Sequence, residues 1–204
     1  MNYLYYFFIF SFLGWLWEVS YTSIKNKKVT NRGFLKSPFC PIYGFGCIFL
    51  YSLYNKFYNL YFLNFILSIL LISLIELLTG LTLDYLFKNR YWDYTSYKYN
   101  LFGYISLHIS IIWGICSMII IYFVFPLFDR LLNNIPYFFS ICLISLLITI
   151  LIIDFIKTIV LFNKYHKDLK HLKLVLKNEL NNNLYYDFEK NNYRILNELK
   201  NIKK

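Results

Sequence analysis

Charged residues are scarce in this chain of 204 residues, where Asp, Glu, Lys and Arg together make up 16% and hydrophobic residues 58%. A soluble domain of this length could not bury so much apolar surface. The long apolar stretches match instead the roughly 20 residues that an α-helix needs to cross a bilayer. The sequence therefore predicts an all-α, multi-pass integral protein of the cell (plasma) membrane.

Several motifs of known chemistry are also absent from the sequence. Without a GxxxxGK[ST] loop the chain is not itself an ATPase of that class, and it has neither an HExxH nor a GxSxG motif. The four cysteines lack CxxC spacing, so we expect free thiols and no metal site. The sequence gives no indication for or against a cofactor. The N-terminus lacks the basic segment and cleavage site of a signal peptide, so the first apolar run is expected to be retained.

Lys and Arg are distributed unevenly between the apolar segments, which lie at about residues 3–23, 39–54, 60–87, 101–126 and 136–162. The second segment is short and contains Pro41, so a re-entrant hairpin is an alternative to a span there. Cytoplasmic loops are enriched in basic residues. With five spans and the N-terminus outside, nineteen of the 21 basic residues are cytoplasmic, and only Lys56 and Arg130 are not. The charge count favours this topology over the re-entrant ones.

The predicted domains are a transmembrane helical domain, residues 1–162, and a basic cytoplasmic tail, residues 163–204. Leucines recur near helical spacing in the tail with lysines between them, at Leu169, Leu172, Leu176 and Leu180. This pattern predicts a basic amphipathic helix on the cytoplasmic membrane face, and a solvated helix packed on its own subunit is the alternative. The net charge of +10 favours membrane lipids over nucleic acid as partners.

Five acidic or histidine side chains lie inside or at the edge of apolar runs: Glu18, Glu76, Asp84, His108 and Asp154. A charged group in hydrocarbon is costly unless it faces protein, water or a partner, so such residues are functional candidates. Under the five-span topology all five fall in the half of the membrane nearest the cytoplasm. For Asp154, near Lys157, simple contact with the interface is the alternative.

A shift of 58 residues relates two parts of the chain. Glu18 is followed thirteen residues later by Asn31 and Arg32, and Glu76 is followed at the same distance by an Asn-Arg pair that ends at Arg90. These matches predict a possible parallel duplication, as known in some transporters, and chance is the alternative. The repeated units would be residues 7–54 and 65–126.

The candidate pocket combines the acids with residues of the loops: Glu18, Arg32, Glu76, Asp84, Arg90, Asp93 and His108. We expect Arg32 to pair with Glu18, and Arg90 with Glu76 or Asp84. Such pairs would serve a functional pocket or only hold helices together. Asp93 would cap the following helix or bind a cation. His108, about one turn into the fourth span, would carry a proton or bond to a neighbouring helix.

Two prolines and three glycines between residues 31 and 46 indicate broken backbone at the membrane boundary. Such backbone is tolerated only where it is buried in protein or lines a wet cavity. Its free N–H groups would bind an anion, with Arg32 and Lys36 adding charge. A tight turn with Pro at a helix start is the alternative. The loop candidates are Gly33, Pro41, Tyr43, Gly44 and Gly46.

The motifs resemble those of the bacterial CmpB-like family, labelled "putative ABC-transporter type IV" and related to the vertebrate transmembrane protein 229 family. They are Gly14-Trp15-Leu16-Trp17-Glu18, Asn31-Arg32-Gly33-Phe34-Leu35 and Cys40-Pro41-Ile42-Tyr43-Gly44-Phe45-Gly46. A second set of residues resembles the family's other signature: Glu76, Trp92-Asp93-Tyr94, Asn100, Gly103 and Trp113-Gly114. The similarity covers about residues 7–126, and the last span adds no signature. Where the family has a basic residue after Gly103, this chain has Tyr104.

The resemblance implies a permease component that needs a separate ATPase subunit. We therefore rank first a transporter component with a polar pocket facing the cytoplasm. One alternative is a membrane-embedded enzyme acting on a lipid or isoprenoid substrate, with Asp93 or His108 as general base. Another is a non-catalytic lipid-binding scaffold. Because five spans make a small transporter, a homo-oligomer or a partner subunit is expected.

Overall fold

The protein is helical along almost all of its described length. The computed structural model describes residues 1–29, 31, 33–87 and 90–179. Its main elements are α1 (Asn2–Asn26), α2 (Pro41–Phe57), α3 (Tyr61–Phe87), α4 (Leu107–Ile119), α5 (Phe125–Leu132) and α6 (Tyr137–Glu179). These helices agree with the predicted all-α membrane protein.

Four helical stretches are long and apolar enough to cross a membrane: Asn2–Asn26, Tyr61–Phe87, Leu107–Leu132 and Tyr137–Lys170. Their outer surfaces expose large apolar side chains such as Phe62, Phe123 and Phe138. A surface of that kind suits lipid and not water. The chain is thus a multi-pass membrane protein.

Helix α2 is one uninterrupted helix of 17 residues, so the re-entrant hairpin considered for this segment is not observed. At 1.5 Å per residue it is about 25 Å long, slightly less than the roughly 30 Å of a bilayer's hydrocarbon core. It packs along α1, where Gly44 contacts Ser11 and the carbonyl of Phe7. The backbone N–H of Cys40, just before α2, donates to the carbonyl of Ser11 at 2.8 Å.

The fourth apolar segment begins with a small β-hairpin and not with a helix. Strand β1 (Asn100–Leu101) pairs antiparallel with β2 (Ile105–Ser106). Gly103 has a φ of +75°, a left-handed conformation that favours glycine, and the Asn100 side chain accepts its N–H at 3.1 Å. Helix α4 therefore starts at Leu107, six residues later than the apolar run predicted.

The far half of this span contains a wide helical turn. A π-helical segment, Ile120–Val124, joins α4 to α5, and Pro126 is the second residue of α5. Proline cannot donate a backbone hydrogen bond, and π-helical turns occur as single turns inside α-helices. Ile121 and Phe125 are fully buried here and form the core with Tyr6. The span reaches Leu132, beyond the predicted end at Pro126.

Helix α6 continues to Glu179 without a break at residue 163. The first part of the predicted tail helix is therefore an extension of the last span and not a separate helix. Its position on the membrane face stays a prediction. Leu180 and the rest of the tail lie outside the described residues.

The contact of Gly44 with α1 should limit the size of the residue at that position. A Cβ at Gly44 would lie 2.6 Å from the Phe7 carbonyl oxygen, whereas a Cβ at Gly46 would meet only the flexible end of Ile72 at 3.1 Å. We expect Gly44→Ala to lower the free energy of unfolding by about 1–3 kcal/mol. Gly46→Ala, the matched control, should be neutral or stabilising. Thermal unfolding in detergent measures both, and equal midpoints would contradict the expected close approach.

Candidate functional site

Glu18 is held by a tyrosine from the next helix. The Tyr43 hydroxyl donates to the Glu18 carboxylate at 2.8 Å. A Cβ at Gly14 would lie 2.7 Å from the Cβ of Tyr43, so the tyrosine packs directly on α1. The ring of Tyr43 also meets that of Trp113 on α4, with centroids 5.9 Å apart. Arg32, the predicted partner of Glu18, lies outside the described residues.

Glu76 is buried in α3, with 8% of its surface exposed. One carboxylate oxygen, Oε1, accepts from the Tyr94 hydroxyl at 2.9 Å. The other, Oε2, has no hydrogen-bond partner among the described residues. Tyr94 belongs to the segment between α3 and α4 and reaches back into the bundle. Between the two partners predicted for Arg90, the structure selects Asp84 over Glu76.

Arg90 lies among two carboxylates and an aromatic ring. It is 4.0 Å from Asp84 and 3.5 Å from Asp93, and its guanidinium is 4.5 Å from the ring centre of Tyr104. The Tyr104 hydroxyl donates to Asp84. Tyr104 replaces the basic residue expected after Gly103, and Arg90 brings a positive charge to the same place.

Asp93 organises the segment in which it lies. Its carboxylate accepts from the backbone N–H of Thr95 at 3.0 Å. This bond, and after it the nearby Arg90, lowers the pKa of Asp93 below its usual range. The next helix begins only at Leu107, so Asp93 stabilises a turn and does not cap a helix as one hypothesis held.

The two acid–tyrosine pairs lie within electrostatic reach of each other. Burial is the main cause that raises the pKa of Tyr94, followed by the carboxylate of Glu76, and Glu18 contributes as well. Tyr43 binds the glutamate of the α1–α2 hairpin, and Tyr94 binds that of the α3–α4 hairpin. The duplication of residues 7–54 and 65–126 stays a prediction, although each hairpin holds its glutamate by a tyrosine.

The remaining two candidates lie apart from these pairs. His108 is exposed at the second position of α4, and its ring stacks on Tyr97 with centroids 6.4 Å apart. Asp154 is 9% exposed and accepts from both the N–H and the hydroxyl of Ser37, at 2.8 and 2.7 Å. Asp154 thus anchors the loop before α2 and does not merely reach the interface.

All five acidic and histidine candidates lie towards one end of the bundle, which we call the loop end. It holds the segments between α1 and α2 and between α3 and α4. Glu18 and Asp154 contact residues of or next to the first segment, and Glu76, Asp84 and His108 contact the second. The five residues therefore lie at the same end of the bundle, as the sequence predicted.

The glycine- and proline-containing loop packs into the bundle. Leu35 and Phe39 are buried in the core, and Pro41 occupies the first turn of α2. Gly33 comes close to the Leu35 carbonyl, since a Cβ there would lie 3.2 Å from it. These features match the predicted tight turn with Pro at a helix start. The anion site proposed with Arg32 rests on a residue outside the described ones.

One acid escaped the sequence argument. Asp129 lies at the opposite end, the far end, where α1 begins and α3 follows α2. Its Oδ1 accepts from the hydroxyls of Tyr6 at 3.0 Å and Tyr51 at 2.9 Å and from the side-chain amide of Asn2 at 3.1 Å. The apolar run was expected to end before Asp129, so it did not count as an acid within a span.

No metal site was predicted, and the described residues contain no group of three or more His, Cys, Asp or Glu side chains that could hold a metal ion. Among the described residues, the polar side chains that contact Glu18, Glu76 and Asp84 include tyrosine hydroxyls and the guanidinium of Arg90. Such an arrangement can bind a proton or a cationic or hydrogen-bond-donating group.

The Asp129 cluster gives a stability prediction. Tyr6→Phe keeps the buried ring but removes one of the donors to Asp129, so we expect a loss of about 1 kcal/mol in the free energy of unfolding. Tyr54→Phe is the matched control, since Tyr54 stacks on Tyr51 and the described residues give its hydroxyl no partner. Unfolding in detergent followed by circular dichroism compares the two. An equal effect of both substitutions would show that the bond to Asp129 contributes little.

Comparison with known proteins places the chain in a family. Neither the curated proteins nor the solved structures compared with it give a match. The family model ABC_trans_CmpB, described as "Putative ABC-transporter type IV", matches residues 5–159. The match confirms the resemblance seen in the motifs, and it extends to residue 159 in the last span, which was expected to add no signature. Since the model covers more than half of the sequence, the chain belongs to the family described as "Putative ABC-transporter type IV".

Proposed function

We propose that the protein is the membrane-spanning component of a transporter and that Glu18 and Glu76 form its binding pocket at the loop end. The family to which the chain belongs carries a transporter description, and the fold has four helices able to span a bilayer. The pocket lies where the two helical hairpins meet.

The observation that carries the proposal is the incomplete bonding of Glu76. Its Oε2 atom is buried and without a hydrogen-bond partner among the described residues, and an unsatisfied buried polar group is costly. Its one partner, Tyr94, donates a hydrogen bond without bringing a positive charge. The negative charge of an ionised Glu76 is therefore not balanced by Tyr94. A proton or a cationic group of a substrate would balance it.

The contacts of Tyr43 suggest how the pocket would respond to movement. Tyr43 packs on Gly14 of α1 and meets Trp113 of α4, so it touches both hairpins. A displacement of one hairpin relative to the other would change the contact of Tyr43 with Trp113, while each acid–tyrosine pair stays within its own hairpin. Such rocking around a fixed site is the usual basis of alternating access.

The alternatives receive less support from the contacts. As a general base for an enzyme, Asp93 is already engaged by Thr95 and Arg90, and His108 is stacked on Tyr97 away from Glu76. In a scaffold whose acids only join helices, both oxygens of Glu76 would be expected to have donors.

We infer five spans, with α2 as the short one, and a loop end that faces the cytoplasm of the cell across its plasma membrane. The basic residues of the loops and tail support this orientation, because positive charge is retained on the cytoplasmic side. The chain lacks a nucleotide-binding loop of its own, so an ABC-type mechanism needs a separate ATPase subunit. A homo-oligomer and bound lipids complete the expected partners.

Cysteine labelling in intact cells tests the topology. In a chain whose four cysteines are replaced by serine, Lys56→Cys and Lys98→Cys place single thiols at exposed positions of opposite ends. We expect a membrane-impermeant maleimide to label position 56 from outside and position 98 only after permeabilisation. The reverse pattern would overturn the proposed orientation, and labelling of both from outside would overturn the five-span count.

Neutralising Glu76 tests the pocket. Cells that lack the gene for this chain are compared with the same cells carrying the wild-type gene. The ions and metabolites whose cellular content the wild-type gene restores are the solutes to follow. We expect Glu76→Gln to reduce their uptake at least about tenfold, because the amide cannot accept a proton or balance a cation at that site. The amount and unfolding midpoint of the purified variant should stay near those of the wild type, since Gln still accepts from Tyr94.

Asp154→Asn is the matched control for that experiment. It neutralises another buried acid at the loop end in the same isosteric way, but Asp154 is bonded to Ser37 and has no place in the proposed pocket. Its uptake should equal that of the wild type. Full uptake by Glu76→Gln would overturn the pocket. A lipid product that the wild type makes and Glu76→Gln does not would favour the enzyme hypothesis instead.

A further inference from the structure

A second feature of the loop end is a surface hollow between α6 and the loop that precedes α2. It has a volume of about 320 Å³ and is lined by Lys36, Ser37, Ile150, Ile153, Asp154 and Lys157. None of the residues of the Glu18–Glu76 pocket lines it. The hollow combines exposed apolar side chains with two lysines.

The lining residues change from apolar to basic along α6. Ile150, Ile153 and Lys157 are all exposed, and spacings of three and four residues place them on one face of a helix. Because α6 runs towards the loop end, Ile150 lies deeper in the bilayer and Lys157 nearer its boundary. The seven residues between them correspond to about 10 Å, similar to the depth from the upper part of a lipid's acyl chain to its headgroup.

The charges of the hollow leave a positive balance. The acid within it, Asp154, is engaged through Oδ2 by the N–H and the hydroxyl of Ser37. Lys36 and Lys157 are exposed and have no ion-pair partner among the described residues. With one carboxylate against two ammonium groups, the hollow carries a net charge of +1.

We propose that this hollow binds an anionic glycerophospholipid. The lipid phosphate lies between the ammonium groups of Lys36 and Lys157, and its acyl chains cover Ile150 and Ile153. Basic pockets beside spans are the usual sites for acidic headgroups, and the long lysine side chains can reach up to the phosphate from within the apolar layer. The lipid would join α6 to the Ser37 loop, a contact that Asp154 already makes from the protein side. This proposal is independent of transport.

Native mass spectrometry of the full chain tests the site. The chain is purified in detergent and mixed with equal amounts of phosphatidylglycerol and phosphatidylcholine that carry the same acyl chains. We expect the wild type to retain phosphatidylglycerol in clear preference. The double variant Lys36→Gln/Lys157→Gln should lower the ratio of the two retained lipids on the order of tenfold or more, because each lysine near a membrane surface contributes separately to acidic-lipid binding.

The matched control is Lys27→Gln/Lys98→Gln. It removes the same charge from two other exposed lysines at the loop end and should keep the wild-type ratio. Equal losses in both double variants would overturn the site and indicate nonspecific attraction. No preference in the wild type would also overturn it.

A second measurement, made on the wild type alone, distinguishes binding of a whole phospholipid from binding of a phosphate group without acyl chains. The unfolding midpoint of the wild-type chain should rise with phosphatidylglycerol, and neither glycerol phosphate nor inorganic phosphate at millimolar concentration should reproduce the rise. An equal rise with inorganic phosphate would show an anion site without a role for the acyl chains and would overturn the lipid proposal.

Discussion

A carboxylate inside a bilayer has no water to bind, so the protein itself must supply every hydrogen bond that it receives. In this fold the donors are mostly tyrosine hydroxyls. Glu18, Glu76, Asp84 and Asp129 each accept from at least one tyrosine. These bonds join different helices, or a helix to the segment that follows it, so the positions of the acids determine how the bundle is assembled. The 21 tyrosines of the chain therefore include partners for its acids as well as interfacial anchors.

The sequence predicted where the acids lie better than it predicted what they contact. Their position towards one end of the bundle follows from where each lies within its own helix, which is a local property of the sequence. Their partners depend on tertiary contacts: Tyr43 and Tyr94 are 25 and 18 residues from the glutamates that they bind, and Tyr6 is 123 residues from Asp129. Spacing to a nearby arginine was a natural criterion: the structure shows the pair of Asp84 with Arg90, and the pair of Glu18 with Arg32 stays a prediction.

Element boundaries failed where apolar residues serve a purpose other than crossing the membrane. The segment from residue 101 is apolar enough for a span. The left-handed conformation of Gly103 and the hydrogen bond from its N–H to the Asn100 side chain nevertheless turn its first residues into a hairpin. This hairpin holds Trp92, whose indole N–H donates to the Tyr104 carbonyl at 2.9 Å. Conversely, the loss of apolar character after residue 162 suggested the end of the last span, whereas the lysines and leucines there favour helix as well and α6 continues. Hydropathy indicates whether a segment lies in lipid or in water, but it does not determine where a helix begins or ends.

The wide turn at Ile120–Val124 has a consequence for the far end of the molecule. Each residue added to a helix rotates everything beyond it by about 100°, and a π-helical turn accommodates one residue more than an α-helical turn does. The direction in which Asp129 points is thus set nine residues earlier, by a local change in helical pitch. A relative of this chain that lacked the extra residue would present a different side of α5 to Tyr6 and Tyr51. The turn therefore sets which side of α5 faces α1 and α2. The direction of the Asp129 carboxylate depends on the number of residues in this turn as well as on the residue at position 129.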